Sequence, residues 1–582
     1  MTRYDAFYVD KGQYPFGDLL TVFGLARVLS NALSDASTQG YRLDILDKGS
    51  YYQLVSKSPI ERDGLSAPRM PQRAIRTPKT LLPDEIASYD YEAEKAVVSD
   101  FFAAKRHNAD AASPSPYWDI LRAINPAALP GYNSLMVDWY TVSGEPEVFS
   151  VLLDLFASTP NDVGNAVKRW QALDKANGWG IKAYSTAQQL YNPDSGKGQN
   201  RVKADGMAIG NVDQFWLIEW LKAVGFYEGA LTRLMRGTKD RKTFVLAPRD
   251  LTWETHSQVM AEFVGAMQVS ESSTRFDCLA VLRYSRALLD HLVAPGGSPL
   301  DHLRRKLNVR KHVASGFYTA FYKDMGNAIA TMNMSFIALP GWISVENRDE
   351  ATLFIEILNE LEQFVRQFDE SHSDAFALLQ YLRDFLSGDD IRALFRFTNA
   401  FPAYLMGKRE RNQYARQLST EFIERLIMSS EKPLARILES SGFQNIAYAI
   451  RQSTVTAQRK KQEGNRRYDI RYGLGQELVR RSRYRNEFVV ALTDFIHKYN
   501  AENAMVLEKY RKPNTKLSEE EAKNFRRSIL TRDIDEIVVL IDEYDSQTVA
   551  NLLIAYGYAR VSTEQQDDQE PTELNENEEN AS

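Results

Sequence analysis

From about residue 345 onward apolar residues recur at steps of three and four, whereas the first 250 residues mix short alternating runs with helical ones. This pattern predicts an α+β N-terminal body followed by an all-α C-terminal helical bundle. Leu353, Ile357, Leu361, Phe364 and Phe368 form one helical series, behind Asn347 as an N-cap and with Asp349 and Glu350 in the first turn. Phe376, Leu379, Leu382 and Phe385 form the next, stopped by Gly388, and Ser518 with Glu521 reads as a capping box ahead of Ala522, Phe525 and Ile529. In the body, Tyr41–Ile45 and Tyr51–Val55 are rich in β-branched and aromatic residues and flank Asp47-Lys48-Gly49-Ser50, which predicts a hairpin. Lys242–Leu246 reads as another strand. Pro59, Pro68, Pro71, Pro78 and Pro83, interspersed with Arg62, Arg69, Arg73, Arg76 and Lys79, predict a long, basic, extended loop, and Ala109–Pro116 a second one. The expected organisation is a mixed body over 1–345, a helical bundle over 346–562 and an acidic tail over 563–582.

Composition adds compartment and charge. With 44% hydrophobic and 25% charged residues over 582 positions, there is ample material for a core. The single cysteine, Cys278, excludes an internal disulfide framework and any multi-thiolate metal site, so a reducing, cytoplasmic setting is expected. Asp5, Asp10 and Asp18 make Met1–Leu20 unlike a secretory signal, and the lack of an uninterrupted apolar run of about 18 residues leads us to expect no membrane span. The net charge of −6 conceals an asymmetry, because Thr563–Ser582 holds eight acids and no base. Without that solvating tail the body is slightly basic.

Catalytic constellations are not visible. The seven histidines are scattered, with no metal-binding pair. Asp389-Asp390 resembles a paired-aspartate metal turn, but Ile391, Leu394 and Phe397 follow at helical spacing, so a helix cap is expected. Gly196-Lys197-Gly198 lacks the spacing of a nucleotide-binding loop. We therefore expect no catalytic residue, no metal and no cofactor.

The basic residues point to polyanions. Arg451, Arg459, Lys460, Lys461, Arg466, Arg467, Arg471, Arg480, Arg481, Arg483 and Arg485 lie in one stretch against only Glu463, Asp469 and Glu477, with Tyr468, Tyr472 and Tyr484 interleaved. A solvated face normally mixes signs; this one-signed excess suits phosphate neutralisation combined with base stacking. Lys197, Asn200, Arg201 and Lys203 sit in a glycine-rich segment, Asn192–Gly206, where backbone amides and long cations can approach a phosphate chain. Arg69, Arg73, Arg76 and Lys79 of the Pro-rich loop form a further candidate patch. Arg241 and Lys242 close the cluster Arg233, Arg236, Lys239, and Arg304, Arg305, Lys306, Arg310, Lys311 and His312 make another.

These stretches together resemble the large subunit of type I CRISPR effector complexes (Cascade), the CRISPR-associated protein family eight. The resemblance is carried by Asn192-Pro193-Asp194-Ser195-Gly196-Lys197-Gly198 running into Asn200-Arg201-Val202-Lys203, by Lys239–Pro248, by Ile446–Arg451 with Ser453-Thr454-Val455, and by Arg471-Tyr472-Gly473-Leu474 with Gln476-Glu477-Leu478. It covers most of residues 1–545. It implies a non-catalytic subunit that binds guide RNA and target DNA among repeated backbone subunits, senses the motif flanking the target, helps open the duplex and recruits a separate nuclease-helicase or transposition partner. The resemblance assigns no residue to the motif reader; the basic Pro-rich loop and the Gly196 segment are the expected positions. The rival readings are a metal-dependent nucleic-acid enzyme and a helical adaptor that binds only proteins. Met406 and Met428 precede the basic stretch, either as interior helix residues or as internal starts for a separately made bundle.

Overall fold

The computed structural model describes residues 3–12, 14–36, 42–61, 68, 70, 73–107, 110–125, 128–195, 212–268, 271–294, 306–326, 329–510 and 525–561. Within them the chain forms two compact units, one built from residues up to 276 together with 308–339, the other from 277–307 together with residues from 340 onward.

Two four-stranded antiparallel sheets organise the first unit. One has the order Arg3–Asp10, Tyr51–Glu61, Leu43–Asp47, Asp250–Thr252, and the other Ile329–Ala338, Ala314–Asp324, Arg241–Pro248, Ala230–Leu234. The predicted hairpin is present: Asp47 pairs with Tyr52, the Lys48 amide donates to the Tyr51 carbonyl at 3.0 Å, and Gly49 supplies the left-handed turn residue at φ 89°. The predicted strand at Lys242 is the inner strand Arg241–Pro248, buried at every position from Lys242 to Pro248, so both its faces are covered and its sequence is apolar without alternation.

The helix Pro15–Ala36 has Leu19, Leu20, Val22, Phe23, Leu25, Ala26, Val28 and Leu29 completely buried. It meets the helix Trp216–Gly229 through backbone: a Cβ added at Gly24 would lie 2.0 Å from the Leu221 carbonyl oxygen, and one at Gly225 1.8 Å from that of Leu20. By length and composition Pro15–Ser34 is apolar enough to cross a membrane, but 78% of the tested window is buried, the state of a core helix. Beside it lies a buried polar network. Lys222 Nζ donates to Asn192 Oδ1 at 2.6 Å and to Gln214, and Asn192 Nδ2 donates to Glu219 at 3.0 Å. Burial, only partly offset by the Gly12 amide and by Lys222, raises the Asp18 pKa to about 6.

Among its described residues the second unit is built of helices. Arg348–Val365 starts where the sequence places it, with Asn347 Oδ1 accepting the Glu350 amide at 2.9 Å. Its inward stripe is Phe354, Ile357, Leu358, Leu361 and Phe364, with Leu353 at the margin. Phe364 and Phe368 pack on Phe397 and Phe401 of the helix Leu394–Glu410. Glu362 on the same helix accepts from Arg283 at 2.8 Å, Arg286 at 3.0 Å and Arg366 at 2.7 Å. Burial would raise its pKa, but the three guanidinium groups outweigh it and hold the carboxylate below its usual range. The next predicted series is the helix Ser373–Leu386.

Late in the unit the chain closes on itself. Arg560 donates its amide to the Leu418 carbonyl at 2.8 Å and accepts the Thr420 amide at 2.9 Å. Arg451 is buried and donates to the Ala559 carbonyl at 2.9 Å and the Tyr556 carbonyl at 2.6 Å. The helix expected from Ala522 through Ile529 is not formed in its described part: Phe525–Leu530 is irregular and a helix begins at Thr531. Asn500 clamps Ile529 from both sides, at 2.8 Å to its carbonyl and 3.0 Å from its amide, and Tyr499 donates to the Arg527 carbonyl at 2.9 Å, so the backbone groups a helix needs are already used. The capping pair Ser518 and Glu521, and the acidic tail, lie outside the described residues.

Candidate nucleic-acid interface

In the first unit the candidates are unequally placed. Lys197, Asn200, Arg201, Lys203 and Arg69 lie outside the described residues. The foot of the glycine-rich segment is described, and there Asn192 is fully buried in the network with Glu219 and Lys222, which anchors the entry to that segment. Arg73 and Lys79 are exposed; Arg76 is half-buried and 3.8 Å from Asp84. The Pro-rich loop is less free than its composition implies, because Asn133 holds both the amide and the carbonyl of Ile75 at 2.9 Å.

Two body candidates are corrected by their surroundings. Lys242 is buried on an inner strand, its ammonium 3.2 Å from Ser273 Oγ. Arg241 is half-buried and donates to the Arg122 carbonyl at 3.0 Å; burial first, and then the neighbouring Arg122, lower its pKa to about 10. Arg233 of the same cluster is likewise interior, paired with Asp119 at 2.8 Å. These cations hold the unit together and do not offer phosphate-facing heads.

The C-terminal stretch separates into three groups. Arg451 is interior, as described above, and is withdrawn from the interface. A second group is exposed or half-exposed but paired with acids: Lys461 with Glu410 at 2.5 Å, Arg466 with Asp469 at 3.1 Å, Arg471 with Glu502 at 3.6 Å, Arg481 with Glu487 at 2.9 Å, and Arg485 with Asp542 at 2.5 Å. Glu410, Glu502 and Asp542 come from elsewhere in the chain, so the excess counted along the sequence is partly neutralised by folding. Hydrogen bonds from Lys461, Gln458 and Tyr472 hold the Glu410 pKa down at about 2.

In the third group, positive charge converges. Lys460, at the C-terminal end of the helix Val455–Gln462, is half-buried, and its pKa is lowered by burial and then by Arg526, Arg467 and Arg459, against which Glu463 counts least. Arg526, missed in the sequence because it lies far from the basic run, is buried over the Tyr468 ring at 3.7 Å and 3.4 Å from Glu502. Arg480 and Arg483 are exposed, with no acidic partner among the described residues. Arg480 and Arg481 end the helix Leu474–Arg481, where cations also complement the helix dipole. Of the three interleaved tyrosines, Tyr468 is buried, Tyr472 donates its hydroxyl to Glu410 at 2.8 Å, and Tyr484 is 61% exposed, which leaves Tyr484 best placed to stack on a base.

Of the paired aspartates, Asp390 takes the capping role expected from the sequence. Asp390 Oδ1 accepts the Arg392 amide at 2.8 Å at the start of the short helix Ile391–Ala393. Among the described residues no group of three or more His, Cys, Asp or Glu side chains is arranged to hold a metal ion. No protein-family model matches the chain, and no curated protein matches it.

Proposed function

We propose that this chain is a non-catalytic, nucleic-acid-handling subunit of a ribonucleoprotein machine, and that its helical unit binds single-stranded polynucleotide. The observation that carries this reading is the gathering of Arg459, Arg467 and Arg526 around Lys460, whose pKa is lowered by burial first and then by these three arginines. Glu463, 3.6 Å from Arg459, and Glu502, 3.4 Å from Arg526, offset part of this charge, and a polyanion would offset the remainder. Arg480 and Arg483 add exposed cations on the same unit, and Tyr484 adds a ring.

In its more specific form the reading is the one the resemblance implies. The protein is then the large subunit of a type I CRISPR effector complex, working in the cytoplasm on guide RNA and target DNA beside repeated backbone subunits and a separate nuclease-helicase or transposition partner. Purification from the native host through a C-terminal tag tests both levels. Co-purifying short RNA with several copies of a backbone subunit is the expected result. Protein free of nucleic acid and bound only to an acidic protein partner sinks the proposal in favour of an adaptor, and metal-dependent DNA cleavage by the isolated chain sinks it in favour of an enzyme.

A further inference from the structure

A second concentration of positive charge lies in a concavity of the helical unit, about 330 Å³ including its open mouth, whose wall contains Arg409, Arg451, Arg459 and Arg560. Arg409 and Arg560 come from distant points of the sequence and are brought to Arg451 and Arg459 only by the fold. Two are set rigidly: Arg451 by the Ala559 and Tyr556 carbonyls, and Arg409 by Gln417 Oε1 at 2.6 Å and the Val455 carbonyl at 3.4 Å. No carboxylate is among the described residues lining the wall; Glu463 lies 3.6 Å from Arg459. The Nε of Arg560 is buried and has no hydrogen-bond partner among the described residues.

The wall also contains Val455 and Thr456, the first residues of the helix Val455–Gln462, whose N-cap Thr454 makes no side-chain cap hydrogen bond. Planar guanidinium groups match the oxygens of a phosphoryl group in pairs. No aromatic ring is among the lining residues, so a base has nothing to stack on.

We propose that this pocket is a binding site for one phosphoryl group, recognised through its oxygens and not through any attached base. The phosphoryl group belongs either to a polynucleotide backbone or to free phosphate. The site stands independently of the nucleic-acid reading, since the convergence at Lys460 shares only Arg459 with it.

Isothermal titration of the full chain with inorganic phosphate at constant ionic strength tests the proposal, with Arg560→Gln and Arg459→Gln as variants because neither residue is fixed by the carbonyls that hold Arg451. We expect one saturable site in the parent protein and a loss of affinity of about tenfold or more in each variant, the size set by removing one charge-assisted hydrogen bond. Circular dichroism and melting temperature confirm that the variants are folded. No saturable binding, or equal binding by the folded variants, overturns the site. Competition then assigns the source: displacement of phosphate by an unphosphorylated DNA oligonucleotide identifies backbone phosphate, whereas Arg560-dependent phosphate binding that the oligonucleotide leaves unchanged identifies free phosphate and supports the site while removing it from the polynucleotide path.

Discussion

Replacing Arg480 and Arg483 together by glutamine separates true phosphate contacts from cations that already have partners. Both side chains are exposed and have no acidic partner among the described residues, so each is available for a full contact with a single strand. Each such contact contributes about 0.7 log unit of affinity per log unit of salt. Between about 50 and 200 mM salt, a span of about 0.6 log unit, two contacts account for roughly a sevenfold change in binding constant. The double variant is thus expected to bind more weakly at low salt and to show a slope shallower by about 1.4. Arg481 and Arg485 provide the internal control, since their guanidinium groups lie 2.9 Å from Glu487 and 2.5 Å from Asp542 and are already neutralised. Glutamine at those two positions is expected to change the slope much less. Fluorescence anisotropy of a labelled single strand across a salt series measures all three proteins. Equal slope changes for the two pairs, or an unchanged slope for Arg480→Gln/Arg483→Gln, would refute the assignment of these residues to the interface.

Glu362→Gln leaves Arg283, Arg286 and Arg366 without their shared carboxylate and is expected to destabilise the helical unit by about 3–5 kcal/mol, read as faster amide exchange in peptides from 348–365. Asp18 has a folded pKa raised to about 6, so its contribution favours the first unit at low pH and is lost as pH rises through that value; Asp18→Asn should remove the corresponding slope from a plot of melting temperature against pH. Gly225→Val drives a side chain into the Leu20 carbonyl and should lower the melting temperature by more than an ordinary overpacking change of about 1–3 kcal/mol; an unchanged melting temperature would contradict the close approach. Asp390→Ala should cost about 1 kcal/mol as a lost cap and, combined with Asp389→Ala, leave DNA unchanged in Mg²⁺ or Mn²⁺ as it is with the parent chain; a parental nuclease activity abolished by the pair would overturn the cap assignment.

The elements that were legible in the sequence are those whose determinants are local. Asn347 caps its helix three residues away, and the Asp47–Ser50 turn closes its own hairpin. The helix Ser273–Val293 was not legible, because it is buried nearly all round and its charged residues Arg275, Asp277 and Arg283 are buried with the apolar ones, so polarity does not mark an outer face. Phe525–Leu530 misled for the opposite reason: its apolar spacing suits a helix, but Asn500 and Tyr499, far away in sequence, hold its backbone. The interface was partly legible in the same sense. Charge along the chain located Lys460, Arg480 and Arg483, but Glu410, Glu502 and Asp542 neutralise other cations from a distance, and Arg409, Arg526 and Arg560 join the positive clusters only through folding.

The way the helical unit is assembled from separate pieces of chain bears on whether it can exist as a separate product. A polypeptide begun at Met428 would carry every cation from Arg451 to Arg485 but lack Leu418 and Thr420, so Arg560 would have no backbone to fasten to. One begun at Met406 would keep that clasp but lose the whole aromatic cluster of Phe364, Phe368, Phe397 and Phe401. Neither product would contain Arg283 or Glu362, the buried ion pair that joins residues 277–307 to residues 340 onward within the unit. The unit is not modular in the genetic sense: neither Met406 nor Met428 begins a product that holds all of it.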